Sequence, residues 1–184
     1  MNSRAQYAPG AASGAEVRKE GNRWTLILVR ELRHPATSVW KALTEPDQLR
    51  EWAPFDADRS LGTAGPVKLS TVGAPTPQVS ETIVTRAEAP RLLEYSWGEN
   101  EMRWELESVG NGTRLTLWHN IGRKFVAMGA AGWHICFDVL DNLLDGHPIG
   151  RIVAGDAMNF EWQRLNAEYS KQFGIEAINP FPTT

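Results

Sequence analysis

Four consecutive segments with alternating apolar and polar residues constrain the fold of this chain most, and they occupy residues 79–88, 91–97, 101–108 and 113–120. Because successive side chains of a β-strand point to opposite faces, each segment predicts a strand with one apolar face. The separators Ala89-Pro90, Gly98-Glu99-Asn100 and Gly110-Asn111-Gly112 are typical of turns. The pattern therefore predicts an antiparallel meander with one covered face and one face in solvent.

Large side chains occupy the predicted covered face. They are Leu93, Tyr95 and Trp97, then Met102, Trp104 and Leu106, then Leu115, Leu117 and His119. The chain has eight tryptophans, and a buried indole N–H needs a hydrogen-bond partner. Two interpretations stay open: the rings fill a core, or they line a chamber that admits a ligand.

Helical patterns flank the meander. Residues 132–146 place an apolar stripe at helical spacing, formed by Trp133, Cys136, Phe137, Leu140, Leu143 and Leu144. A second helix is predicted at about 156–173, and it could close the chamber, pack on the sheet or form a dimer seam. Before the meander come a strand at 24–32, two short helices at 37–43 and 46–52, and a short strand at 66–72.

This order of elements predicts an α+β fold, in which a curved antiparallel sheet wraps around a long C-terminal helix. The length of 184 residues suits one domain, which we expect to span 17–174 with a helical extension at 147–173. Residues 1–16 are small and polar and predict a disordered lead-in, and residues 175–184 form a C-terminal tail.

Composition excludes several classes of function. The net charge is −3 and no stripe of Lys and Arg appears, so no nucleic-acid partner is expected. The one cysteine, Cys136, excludes an intrachain disulfide and a cysteine-rich metal site. The four histidines lack metal-binding spacing, and no glycine loop for a phosphate is present, so neither metal nor cofactor is expected. No apolar run suits a membrane span or a signal peptide, which predicts a cytoplasmic protein.

Four phrases of the sequence carry a family resemblance: RELRHPATSVWKALTEPDQLREW, EAPRLLEYSWG, GNGTRLTLWHN and GWHICFDVLDNLLDG. Their order and spacing resemble the START-like, Bet v 1-like (SRPBCC) superfamily, and within it the group similar to the C-terminal domain of the activator of Hsp90 ATPase. The resemblance covers roughly residues 22–146. It implies a helix-grip fold, whose sheet and long helix enclose an elongated apolar cavity.

If that cavity is present, its expected lining is the inward face of the sheet together with the helices. The candidate ligand-binding residues are Trp40, Trp52, Leu93, Tyr95, Trp97, Met102, Trp104, Leu106, Leu117, His119, Trp133, Phe137 and Leu140.

Polar candidates for chemistry are few. His119 shares the apolar face with Leu117 and is the one candidate for a ligand contact or a general acid or base, while a satisfied histidine at a strand end is the interpretation that the position favours. Glu81 and Glu94 are possible cavity acids, with a solvated position as the alternative. Arg151 could anchor a carboxylate at the cavity mouth or be an exposed loop charge.

His134 and Asp138 lie four residues apart on the predicted helix, with Asp141 and Asp145 on the same polar face. This spacing predicts a surface ion pair.

Three functions compete. The first is the binding of a small hydrophobic or aromatic molecule without turnover. The second is an enzyme that uses His119, similar to the cyclases and aromatases of the superfamily or to a hydrolase. The third is a co-chaperone-like module, although Hsp90 is not the expected partner because the chain lacks the additional N-terminal domain of the full activator. A homodimer through the C-terminal helix is compatible with the sequence.

Overall fold

The computed structural model of the protein describes residues 3–76 and 78–178. In this part of the chain, nine strands form: β1 (Ala15–Glu20), β2 (Arg23–Leu32), β3 (Phe55–Ala57), β4 (Gly65–Thr71), β5 (Gln78–Val84), β6 (Arg86–Glu88), β7 (Leu92–Trp97), β8 (Asn100–Val109) and β9 (Gly112–Asn120). The α-helices of the same residues are α1 (Ala36–Thr44), α2 (Pro46–Trp52), α3 (Val126–Leu144) and α4 (Trp162–Phe173). Short 3₁₀-helices occupy Arg4–Gln6, Arg123–Phe125 and Ala154–Phe160.

Two antiparallel sheets result from these strands. The larger has the order β1-β2-β9-β8-β7-β6, and the smaller has the order β3-β4-β5. In the larger sheet, Trp104 pairs with Leu93 on one side and with Leu117 on the other, and Met102 pairs with Tyr95 and His119. These residues are all buried, so the three predicted meander strands at 91–97, 101–108 and 113–120 and their covered face are confirmed.

Helix α3 packs on the covered face and completes the predicted helix-grip architecture. It begins at Val126, six residues before the predicted start at 132. The added first turns contain Ala127, Ala130 and Ala131, all buried, and Gly129, where an added Cβ would lie 2.7 Å from Ile121 Cδ1. Small residues there let the helix approach the sheet closely. Residues 126–132 are all apolar or glycine, so the sequence shows no polar face that would reveal an amphipathic helix.

The predicted single strand at 79–88 is wrong, because it divides between the two sheets. Strand β5 pairs with β4, while β6 pairs with β7 in the larger sheet. Thr85 stands between them, and its N–H donates to the carbonyl of Glu94 at 2.9 Å. The predicted helix at 156–173 is also interrupted: a 3₁₀-helix is followed by Glu161 with φ of 61°, and α4 begins at Trp162.

The N-terminal segment is packed in the structure, in contrast to the disorder predicted for 1–16. The Arg4 guanidinium donates to the carbonyls of Gly150 and Arg151 at 3.0 and 2.8 Å. The N–H of Ala12 donates to the carboxylate of Glu168 at 3.1 Å. The composition has too few apolar residues to signal order, but side chains and carbonyls from distant elements anchor this backbone. Residues 1 and 2, and residues 179–184 of the predicted tail, lie outside the described residues.

The polar side of α3 is covered as well, which corrects the prediction of a surface pair between His134 and Asp138. Arg30 donates to Asp138 Oδ1 at 2.6 Å, and the Tyr7 hydroxyl donates to Oδ2 of the same carboxylate. His134 is 5% exposed and bonds the Tyr169 hydroxyl through Nδ1 at 2.6 Å. Burial lowers the pKa of His134, against the opposing effect of Asp138. The N-terminal segment and α4 thus bury a face that the sequence pattern assigns to solvent.

Within the described part of the chain, no helix combines the length and the apolar character that crossing a lipid bilayer requires.

Candidate ligand-binding cavity

The centre of the interface between sheet and helix is filled by aromatic rings. Trp104 is 1% exposed and meets Trp52, Trp133 and Phe137 with ring centroids 6.0, 5.5 and 6.1 Å away. Its indole N–H donates to the Tyr95 hydroxyl at 3.2 Å. The contacts with Trp52 and Trp133 are edge-to-face, an arrangement that is favourable beyond the burial of its area. At this depth along the strands the core interpretation is therefore the correct one.

A cavity of about 630 Å³ opens at one end of the same interface. Helix α3 and the ends of β7 and β9 form one side, the smaller sheet forms another, and the segment after α3 covers it. Its mouth carries Val79 and Phe125, which are 58% and 57% exposed. The wall consists of Pro54, Thr71, Gln78, Val79, Ser80, Trp97, Gly98, Asn100, His119, Ile121, Phe125, Met128, Gly129, Gly132, Trp133, Cys136, Ile152, Val153, Ala154, Ala157 and Trp162.

Three of the predicted ligand-binding residues, Trp97, His119 and Trp133, lie together on this wall. The others pack in the hydrophobic core or beside it and do not line the cavity: Trp40, Trp52, Leu93, Tyr95, Met102, Trp104, Leu106, Leu117, Phe137 and Leu140. Alternation identifies the face on which a side chain lies, but not whether another ring fills the space above it. The binding role of the predicted set stays a prediction.

Sequence reasoning missed the wall contributed by residues 152–157. Ile152 and Val153 are buried, and Ala154 and Ala157 follow them in the 3₁₀-helix. The apolar sequence GRIVAG was the available signal. It has no helical or strand periodicity, so it does not indicate which side chains face the cavity. Helix α4 also contributes, since Trp162 lies on the wall while Leu165 and Tyr169 are buried inside the chain.

His119 is one of the polar residues that line the cavity, and it is 4% exposed. Its Nδ1 accepts a hydrogen bond from Trp133 Nε1 at 3.1 Å, and its ring stacks on Trp97 with centroids 6.2 Å apart. Burial lowers the pKa of His119 to about 4. The imidazole is therefore neutral at pH 7, and since Nδ1 accepts, its single proton is on Nε2. No residue that the structure describes bonds this Nε2.

The other polar candidates make ion pairs outside the cavity. Glu81 is exposed and lies 3.8 Å from Lys68, and Glu94 faces Arg86 and Arg103 on the solvent side of the sheet. Arg151 donates to Asp56 Oδ1 at 2.7 Å, so it is neither a free cavity anchor nor an exposed loop charge. Among the residues that line the cavity, none carries a charged side chain.

A thiol also lies on the wall. Burial raises the pKa of the Cys136 thiol to about 12, which keeps it protonated and unreactive at neutral pH.

One cluster of potential metal ligands occurs within residues 3–76 and 78–178, at the far end of α3. His34, Asp141 and Asp145 bring one donor atom each within 4.8 Å of one another. His34 Nε2 and Asp145 Oδ1 lie 2.7 Å apart, and a histidine–carboxylate hydrogen bond explains this contact without a metal ion. The cluster is outside the cavity wall, and sequence spacing did not predict it.

Comparison with known families supports the resemblance seen in the sequence. The family model described as "Activator of Hsp90 ATPase homolog 1-like protein" matches residues 33–145. The chain belongs to this family. The match ends at the close of α3, so the cavity wall at 152–157 lies outside the residues that match the Activator of Hsp90 ATPase homolog 1-like family model.

Solved structures show the same fold. CalU16 from Micromonospora echinospora is 22% identical with a TM-score of 0.62, covering 88% of this chain and 97% of its own. The protein of unknown function EF2215 from Enterococcus faecalis is 17% identical with a TM-score of 0.64, covering 86% and 89%. An AHSA1-like protein from Aeromonas hydrophila is 17% identical with a TM-score of 0.55, covering 66% and 92%. No curated protein sequence matches the chain significantly. Likeness at these identities establishes the fold alone.

Proposed function

We propose that this Activator of Hsp90 ATPase homolog 1-like protein binds a small, largely apolar molecule in the cavity between β9, α3 and the smaller sheet. The observation that carries this proposal is the cavity of about 630 Å³, whose wall is mostly apolar and, among the described residues, holds no charged side chain. Ligand pockets of proteins are usually about 300–1,000 Å³ and are lined mainly by apolar and aromatic groups.

Binding without turnover is favoured over catalysis by the surroundings of His119. An acid/base mechanism needs a second titratable group near the imidazole, and Trp133 occupies Nδ1 instead of a carboxylate. A pKa of about 4 leaves His119 without the proton that a general acid donates at neutral pH. An enzyme that uses His119 therefore ranks second.

The partners and the location predicted from the sequence stay proposals. We expect a cytoplasmic location, a small hydrophobic ligand and no nucleic-acid partner. Hsp90 is not the expected partner, since similarity to a domain does not transfer the partner of that domain. A homodimer through α4 is weakened by one observation: Leu165 and Tyr169 on its apolar face are 0% exposed within a single chain.

The first test is native mass spectrometry of protein purified without detergent, followed by solvent extraction of anything bound. Gly132 offers a blocking variant, because it lies on the cavity wall and an added Cβ would meet no atom within 4 Å. Gly132→Phe should place a ring in the cavity and abolish the adduct. Gly132→Ala is the matched control, which should retain the adduct and gain about 0.5–1 kcal/mol in free energy of unfolding from helix propensity.

A reproducible small adduct that is present in the wild type and Gly132→Ala and lost in Gly132→Phe supports the proposal. An adduct that survives Gly132→Phe lies elsewhere and contradicts it. The proposal is also contradicted if the wild type is purified without a ligand and its mass does not change when a panel of lipids and aromatic molecules is added.

A further inference from the structure

Two residues that line the cavity each carry a buried polar atom with no hydrogen-bond partner among the residues that the structure describes. The atoms are Nε2 of His119, on β9, and Oγ of Ser80, on β5 of the smaller sheet. Buried polar groups in native proteins nearly always have a partner, so an unpaired one needs an explanation. Because both residues line a single cavity, a bound molecule that their side chains turn to meet is the simplest explanation for both.

The hydrogen-bonding role of His119 follows from its other nitrogen. An indole N–H only donates, so the bond from Trp133 Nε1 requires Nδ1 of His119 to accept. The neutral ring then carries its proton on Nε2, which is a donor. The stacked ring of Trp97 and the bond to Trp133 hold the imidazole in this orientation. A ligand atom that meets Nε2 must therefore be an acceptor.

The charge of that acceptor follows from the wall. Within residues 3–76 and 78–178, no Lys, Arg, Asp or Glu side chain lines the cavity. A carboxylate or phosphate would lose its hydration there without gaining a cation, which is strongly unfavourable. A neutral oxygen, such as that of a ketone, ester or ether, loses far less hydration free energy. The rings of Trp97, Trp133, Trp162 and Phe125 on the same wall favour a flat aromatic body for the rest of the molecule.

We propose that the cavity takes an uncharged aromatic molecule with an oxygen acceptor, which receives a hydrogen bond from His119 Nε2–H while Ser80 Oγ offers a second polar contact. This inference rests on the proposed function and adds the chemical class of the ligand. His119 is thus a specificity-determining residue, which distinguishes an oxygenated ring system from a hydrocarbon of the same shape.

The test uses two probes of matched shape, 9-fluorenone and fluorene, which differ by one carbonyl oxygen. Their dissociation constants are measured by quenching of tryptophan fluorescence for the wild type and two variants. His119→Asn keeps an amide near the Nδ1 position for Trp133 but loses the group at Nε2. His119→Gln places an amide N–H near the Nε2 position. Thermal melts check that each variant is folded.

The preference for fluorenone, expressed as the ratio of the two dissociation constants, should fall about three- to tenfold in His119→Asn, the range expected for one neutral hydrogen bond. It should be retained in His119→Gln, while fluorene binds all three proteins within about twofold. An infrared measurement needs no variant: the carbonyl stretch of bound fluorenone should lie at lower wavenumber than in a hydrocarbon solvent.

The outcomes separate the two levels of inference. If both probes bind and Gly132→Phe excludes them, but the ratio is unchanged in His119→Asn, the hydrogen bond is refuted and the proposed function stands. A bound carbonyl stretch equal to that in hydrocarbon also refutes the hydrogen bond. If neither probe binds the wild type, or if Gly132→Phe binds both as well as the wild type, the proposed function fails and the inference fails with it.

Discussion

The buried imidazole of His119 should lower the free energy of unfolding as the pH decreases, and replacing His119 should remove this contribution. The pKa of His119 in the folded protein is about 4, lowered from its ordinary value of 6.5 by burial. Between these two pH values the unfolded chain binds a proton at this position and the folded protein does not. The free energy of unfolding is therefore highest above pH 6.5, falls as the pH decreases toward 4, and levels off below it.

The magnitude follows from the same two values. A difference of about 2.5 in pKa, at 1.36 kcal/mol for each unit, corresponds to about 3 kcal/mol. The residue is 4% exposed, so solvent does not screen this cost appreciably. His119→Gln cannot titrate. Its free energy of unfolding relative to the wild type should therefore rise by about 3 kcal/mol between pH 7.5 and pH 4.

Urea unfolding of both proteins at pH 7.5, 6, 5 and 4, followed by tryptophan fluorescence, measures this difference. Carboxylates titrate in the same range, but they are shared by both proteins and cancel. A relative change below about 1 kcal/mol, or one of opposite sign, would refute the assignment of a buried neutral imidazole. Burial also lowers the pKa of His134. The free energy of unfolding of His134→Gln, relative to the wild type, should therefore also rise as the pH decreases.

Two further predictions test the packing. Trp104→Ala should cost about 3–5 kcal/mol in free energy of unfolding, because the ring is 1% exposed and packed among other rings, and urea unfolding would show a smaller loss if the space were already open. Asp138→Asn should cost about 1.5–3 kcal/mol because it removes the negative charge that pairs with Arg30, whereas Tyr7→Phe, which leaves that ion pair intact and deletes one hydrogen bond to the carboxylate, should cost about 1 kcal/mol. Equal costs for the two changes would contradict the dominant role of the Arg30 pair.

Local patterns predicted the sheet because they report a property of each strand alone. Met102, Trp104 and Leu106 alternate with charged residues, and their faces and strand pairing follow from period two. The helical stripe that contains Trp133, Phe137 and Leu140 likewise predicted the element that covers the sheet. The sequence pattern did not predict the first turns of α3, because their periodicity is weak. Ala and Gly residues make the packing contacts there.

Burial by distant segments was decided only by the tertiary structure. His134 and Asp138 have the spacing of a surface pair, yet Tyr7 and Tyr169 come from opposite ends of the chain to bond them. Nothing within the helix reports that the N-terminal segment will lie across it. The break at Thr85 depends in the same way on which sheet each half of the segment joins.

The sequence by itself determined the α+β helix-grip fold, its covered face and the presence of His119 on that face, because each rests on periodicity or on family resemblance over neighbouring residues. Only the tertiary structure decided which inward side chains meet other rings and which meet a cavity. Trp97 and Trp104 lie on neighbouring strands of the same face, but Trp104 is enclosed by Trp52, Trp133 and Phe137 while Trp97 lines open space. That difference depends on which distant segments lie beside each ring, since residues 152–157 line the same cavity as Trp97, and no local pattern encodes this arrangement.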